Sequence, residues 1–161
     1  MKMTQLLRYF RLILPISCIL FFANATSHDP KVLKTIIKEC FPTQNVGKNY
    51  CVFILADAKD LCQSCLQSYY DFLLEYVKNK PHLFILSYAS GSMYNMDNLL
   101  NAKNFYNDRK TRKLYPKGYK FKSLEAIIVK DNKIDTVVVL DRNTVRDALP
   151  YLASQVKNCI N

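Results

Sequence analysis

Glycine, histidine and acidic side chains are scarce in this chain of 161 residues, which has 3 glycines, 2 histidines and 13 aspartates and glutamates. No low-complexity tract or internal repeat is present, which excludes a flexible spacer protein or a repeat array. His28 and His82 read as surface and strand-start residues, and two histidines so placed build no Ser-His-Asp arrangement. Hydrophobic residues make up 50% of the chain, which excludes disorder except near the ends. The longest apolar run near the start, Leu12 to Phe22, falls short of the roughly 20 residues that span a bilayer comfortably. The length suits one domain with a proper core and is too short for two.

The first 25 residues read as a secretory signal. Lys2, Arg8 and Arg11 form a positive n-region, Leu12–Phe22 an apolar h-region, and Ala23-Asn24-Ala25 places small residues at −3 and −1 for a signal peptidase. An ordinary buried helix would have to hide Leu12-Ile13-Leu14 and Ile19-Leu20-Phe21-Phe22 on every side, which a domain this small does not readily do. An uncleaved anchor is the second choice. Cys18 after Pro15-Ile16-Ser17 faintly resembles a lipobox, but Leu14 sits one position too early and Ile-Leu-Phe-Phe follows. Cleavage after Ala25 leaves residues 26–161 as a single domain in the periplasm or cell envelope.

Three of the 23 basic residues lie in that leader, which leaves 20 against 13 acidic ones and a balance of +7. Such a charge favours anionic surfaces or acidic partners. Nucleic acid is not the expected partner, since no basic and aromatic residues interleave at strand spacing. Lys103, Arg109, Lys110, Arg112, Lys113, Lys117, Lys120 and Lys122 make segment 103–122 basic. It reads as a solvated face, or as a docking patch for an anionic surface.

The chain has 6 cysteines, of which Cys40, Cys51, Cys62, Cys65 and Cys159 lie beyond the leader. Five cannot close into a full intramolecular disulfide framework. One close pair, Cys62 and Cys65, with three scattered cysteines fits a redox motif better than a stapled mini-protein. Cys40 and Cys51 could pair with each other, and the sequence leaves that open. A static disulfide and a metal site remain alternatives for Cys62 and Cys65, although zinc would need two further ligands and the Cys40 and Cys51 spacing fits no zinc signature.

The elements follow from periodicity. Val32, Leu33, Ile36 and Ile37 predict a helix from about Pro30 to Cys40. Cys51–Leu55 is a continuous apolar run, as in a strand buried on both faces. Leu66, Tyr69, Leu73, Tyr76 and Val77 line one face of a helix that starts at Cys62 and ends before Pro81. His82–Tyr88 reads as a second buried strand, giving a right-handed βαβ unit with parallel strands. A further helix is expected from about Asp97 to Lys113. Ala126–Val129 and Ile134–Leu140 flank Lys130-Asp131-Asn132-Lys133, a hairpin signal. A terminal helix carries Val145, Leu149, Leu152 and Val156 on one face, with Pro150 either kinking it or opening a separate last helix.

This order, β-α-β-α-β-β-α with the C-x-x-C pair between the first strand and its helix, resembles the thioredoxin-like superfamily over about residues 48 to 158. The likeness is nearest to the exported bacterial TlpA and redoxin type. It implies an α/β three-layer sandwich around a central mixed sheet, here preceded by an N-terminal helix. It also implies a thiol-disulfide oxidoreductase that needs no cofactor and acts on protein thiols and disulfides or on a redox partner protein. A helix start has unpaired N–H groups and a partial positive charge, which stabilise a thiolate. Cys62 is then the nucleophile and Cys65 the resolving thiol. Leu61 stands where many members carry an aromatic residue. Where the family places a cis-proline opposite the cysteines, Phe121-Lys122-Ser123-Leu124-Glu125 has none, and Ser123 and Leu124 are the candidates for that wall of the substrate groove. Peroxiredoxins carry a threonine and a proline before their reactive cysteine, and Ala58-Lys59-Asp60-Leu61 has neither. The competing expectation is a non-catalytic binding module of the cell envelope whose Cys62–Cys65 bond is structural.

Overall fold

The computed structural model describes residues 28–56, 62–88, 97–108 and 124–160. The leader at 1–25, Leu61, Ser123 and the basic residues of 109–122 lie outside the described residues, so the expectations attached to them do too.

The first helix, α1, runs Pro30–Cys40. Asp29 caps it, its carboxylate accepting the Lys31 N–H at 2.8 Å, while Pro30 occupies a first-turn position where no N–H is needed. Strand β1 is Tyr50–Leu55, with all six residues buried. Helix α2 covers Gln63–Phe72 and continues as a π-helical turn over Leu73–Val77. Strand β2 is Leu83–Ser87. A single helical turn, α3, spans Asp97–Leu100 and is followed by a short strand β3, Phe105–Asn107. Strands β4, Leu124–Lys130, and β5, Lys133–Leu140, lead into the last helix α4, Val145–Ile160. Pro150 lies inside α4, so no separate final helix begins there.

The five strands form one mixed sheet in the order β3-β2-β1-β4-β5. β1 and β2 run parallel with Phe53 opposite Ile85, which is the expected β1-α2-β2 unit. β4 lies antiparallel on the other side of β1, with Phe53 opposite Ala126. The β4–β5 turn forms as expected. Asp131 and Asn132 both take positive φ, 50° and 60°, the backbone that a two-residue hairpin turn requires.

Alternation along the central strands sends side chains to opposite faces. Cys51, Phe53 and Leu55 join Leu83, Ile85, Ala126 and Ile128 under α2 and α4. Val52 and Ile54 join Phe84, Leu86, Ile127 and Val129 under α1, whose Leu33, Ile36 and Ile37 are buried. Helices therefore cover both faces. β1 is apolar throughout because neither of its faces meets water.

One expectation is corrected. The stretch read as one helix from Asp97 to about Lys113 is interrupted: its first helical turn ends at Leu100, and Phe105–Asn107 pairs in parallel with β2, while 109–113 lie outside the described residues. Asn104 is the cause. Its side-chain amide donates to the Val77 and Leu83 carbonyls at 2.8 Å each, and its Oδ1 accepts the Asn79 N–H at 2.8 Å. Its own carbonyl takes the Ile85 N–H at 2.8 Å and so sets the β2–β3 register. These bonds satisfy the end of the π-helical turn and the start of β2, and they hold Asn104 out of a helix.

Candidate functional site

Cys62 and Cys65 are joined by a disulfide, with their Cα atoms 5.2 Å apart. Local geometry puts them there. Cys62 is the N-cap of α2, with extended backbone at φ −68° and ψ 150°. Its sulfur accepts the Cys65 N–H at 3.2 Å, taking the place that a Ser or Asp oxygen has in an ordinary cap. The Cys62 carbonyl begins the helix by accepting the Cys65 and Leu66 N–H groups at 3.0 and 3.1 Å. The Ser64 hydroxyl lies 3.3 Å from the Cys62 sulfur and donates to it, since a disulfide sulfur carries no proton. The first turn of α2 holds no acidic residue, so its positive end is not offset from within the helix.

The two sulfurs differ in surroundings. Both residues are half-buried, but Cys65 packs against the buried cluster below α2. A groove of about 1230 Å³ opens beside the disulfide, between α2 and the start of α4. Asp71 and Glu75 line one wall, Arg142, Arg146 and Asp147 the other, and Phe72, Tyr76, Leu149 and Pro150 supply apolar surface. The disulfide thus lines a groove that carries charge of both signs and apolar side chains. Asp141 holds the α4 side in place. Its Oδ1 accepts the Asn143 and Thr144 N–H groups at 2.7 and 2.9 Å, and these bonds, the Thr144 one foremost, hold its carboxyl below the usual range.

Leu124, expected in the groove wall, opens β4 opposite Leu140 with its side chain fully buried in the cluster that Cys65 packs against. Its neighbour Glu125 is a buried carboxylate, 3% exposed, that meets His28 Nε2 at 2.8 Å. His28 is therefore a partner across the fold as well as a surface residue. Glu125 also reaches Tyr69 of α2 electrostatically: burial first, and then the Glu125 charge, push the Tyr69 phenol up. Among the described residues no three of His, Cys, Asp and Glu come together as metal ligands.

Sequence reasoning missed Arg142, Arg146 and Glu125. The arginines sit in a turn and a helix start about 80 residues beyond Cys62, with no periodic signal linking them to it. Glu125 carried one signal, an acid directly before the apolar run Ala126–Val129.

The chain was compared with protein-family models, curated proteins and solved structures, and none of the three gave a match.

Proposed function

We propose that the chain is an exported thiol-disulfide oxidoreductase-like protein with a thioredoxin-like fold, using Cys62 and Cys65 on protein thiols and disulfides. The observation that carries this reading is the disulfide at the N-cap of α2, with a backbone N–H aimed at the Cys62 sulfur. That arrangement stabilises the thiolate Cys62 becomes when the bond opens, and it leaves Cys65 one turn along to close it again.

The chemistry is exchange. In the reduced protein the Cys62 thiolate attacks one sulfur of a substrate disulfide; a mixed disulfide forms and one substrate sulfur leaves as thiolate. Cys65 gives up its proton and attacks Cys62, and the second substrate sulfur leaves. The substrate gains two electrons and two protons, and Cys62–Cys65 is again a disulfide. The reverse sequence oxidises a substrate dithiol. The groove between α2 and α4 supports the reading because it offers a bound polypeptide both apolar contact and opposite charges beside the sulfurs. The basic segment 103–122 would bring the domain to an anionic surface or acidic partner in the periplasm or cell envelope.

The test is turnover of a model protein disulfide with a chemical reductant. Wild type should turn over, Cys62→Ser should not, and Cys65→Ser should accumulate a mixed disulfide through Cys62. Absence of wild-type turnover, with Cys62→Ser folded and still holding its partners, would mean that the bond is structural and the chain a non-catalytic binding module.

A further inference from the structure

We infer that Cys51 and Cys159 form a second, buried disulfide that fastens the last helix to the central strand. This is independent of the function proposed for Cys62 and Cys65. The Cys51 and Cys159 sulfurs lie 2.7 Å apart, across 108 positions of sequence. That distance leaves no room for two unbonded sulfur atoms and is about 0.7 Å beyond a covalent S–S bond. Cys51 lies in the middle strand of the sheet, on the face that α2 and α4 cover; Cys159 is near the end of α4 and reaches the same face. Cys40, the last residue of α1, packs on the opposite face, so the sheet separates it from Cys51. The two bridges together use four of the five cysteines beyond residue 25.

The bond needs an oxidant, and a disulfide of low molecular weight such as oxidised glutathione supplies one. The Cys159 thiolate attacks it and one glutathione thiolate leaves; Cys51 then loses its proton, attacks the Cys159 sulfur, and releases the other. Two cysteine thiols are oxidised, one glutathione disulfide is reduced, and the released thiolates take up the two protons. Cys159 attacks first because it lies near the end of the last helix, whereas Cys51 lies in the middle strand of the sheet. Cys51 is 0% and Cys159 6% exposed, so closure precedes the final docking of α4. Once closed, the bond holds the α4 wall of the groove against β1 and is shielded from reductant.

The denatured, reduced full chain is refolded with oxidised glutathione, blocked with an alkylating agent in urea without reduction, and cleaved with trypsin. Cys62 and Cys65 share the peptide Asp60–Lys78, while Cys51 and Cys159 lie in Asn49–Lys59 and Asn158–Asn161. The expected product is Asn49–Lys59 joined to Asn158–Asn161. In native buffer, dithiothreitol should open this link more than about tenfold more slowly than in urea, because attack requires local opening. Alkylated, unlinked Asn49–Lys59 and Asn158–Asn161, or Cys51 joined to any other cysteine, would overturn the inference. Neither result bears on Cys62 and Cys65, whose bond appears within Asp60–Lys78.

Discussion

Replacing Asn104 by alanine removes the side chain that turns residues after α3 into a strand. The loss can be worked bond by bond. Three hydrogen bonds disappear, two to the Val77 and Leu83 carbonyls and one from the Asn79 N–H, all of 2.8 Å. The Val77 oxygen keeps the Lys80 N–H at 3.1 Å, so it is not orphaned. The Asn79 N–H loses its side-chain acceptor altogether. At about 1 kcal/mol per bond, and more for a donor left unsatisfied, the variant should be less stable by about 3 kcal/mol. Urea unfolding followed by circular dichroism should show a lower midpoint with an unchanged slope, since little surface changes. Asn104→Asp should be worse, because it keeps the acceptor for Asn79 but turns a buried negative oxygen toward two carbonyls. Thiol-disulfide turnover should persist in the folded fraction of Asn104→Ala, because Asn104 does not line the groove. A loss below about 1 kcal/mol would refute the claim that this clasp fixes β3.

Leu152→Ala, at a fully buried α4 position over the sheet, should cost about 2 to 5 kcal/mol by chemical denaturation, the range for cavities in a packed core. Asp141→Ala should remove one component of acid unfolding. Its carboxyl is depressed in the folded state, so its stabilisation is complete above the ordinary 3.8 and is lost as pH falls through the lower folded value; the variant's acid titration should lack that component. Arg146→Glu in the groove wall should weaken handling of acidic peptide disulfides more than basic ones, read as the ratio of kcat/KM between two such substrates. N-terminal sequencing of the secreted product should begin at Thr26.

The parts legible in the sequence are those whose signal is local and periodic. The run Tyr50–Leu55 is wholly buried, and a strand with no wet face has to be apolar throughout. Asp131 and Asn132 announced a hairpin because few residues take the positive φ they adopt. β3 was not legible, since three residues carry no period and Asn104 owes its conformation to groups 21 to 27 residues away. For the site, the Cys62 and Cys65 spacing was visible, whereas the groove beside them is completed by Arg142 and Arg146 from another element. Glu125 and His28, 97 positions apart, meet only through the fold. Non-local contacts of this kind leave no trace in a window of sequence.

The central claim, that Cys62 and Cys65 exchange electrons with other thiols, is tested most directly by a redox titration of the native chain against a dithiol buffer. Trapped thiols are counted in Asp60–Lys78. The account predicts reversible opening and closing of the Cys62–Cys65 bond along a two-electron curve, tenfold in ratio for about 30 mV, with the fold retained in both states. A bond that stays closed in native buffer at the most reducing end, or one whose opening unfolds the chain, would contradict it.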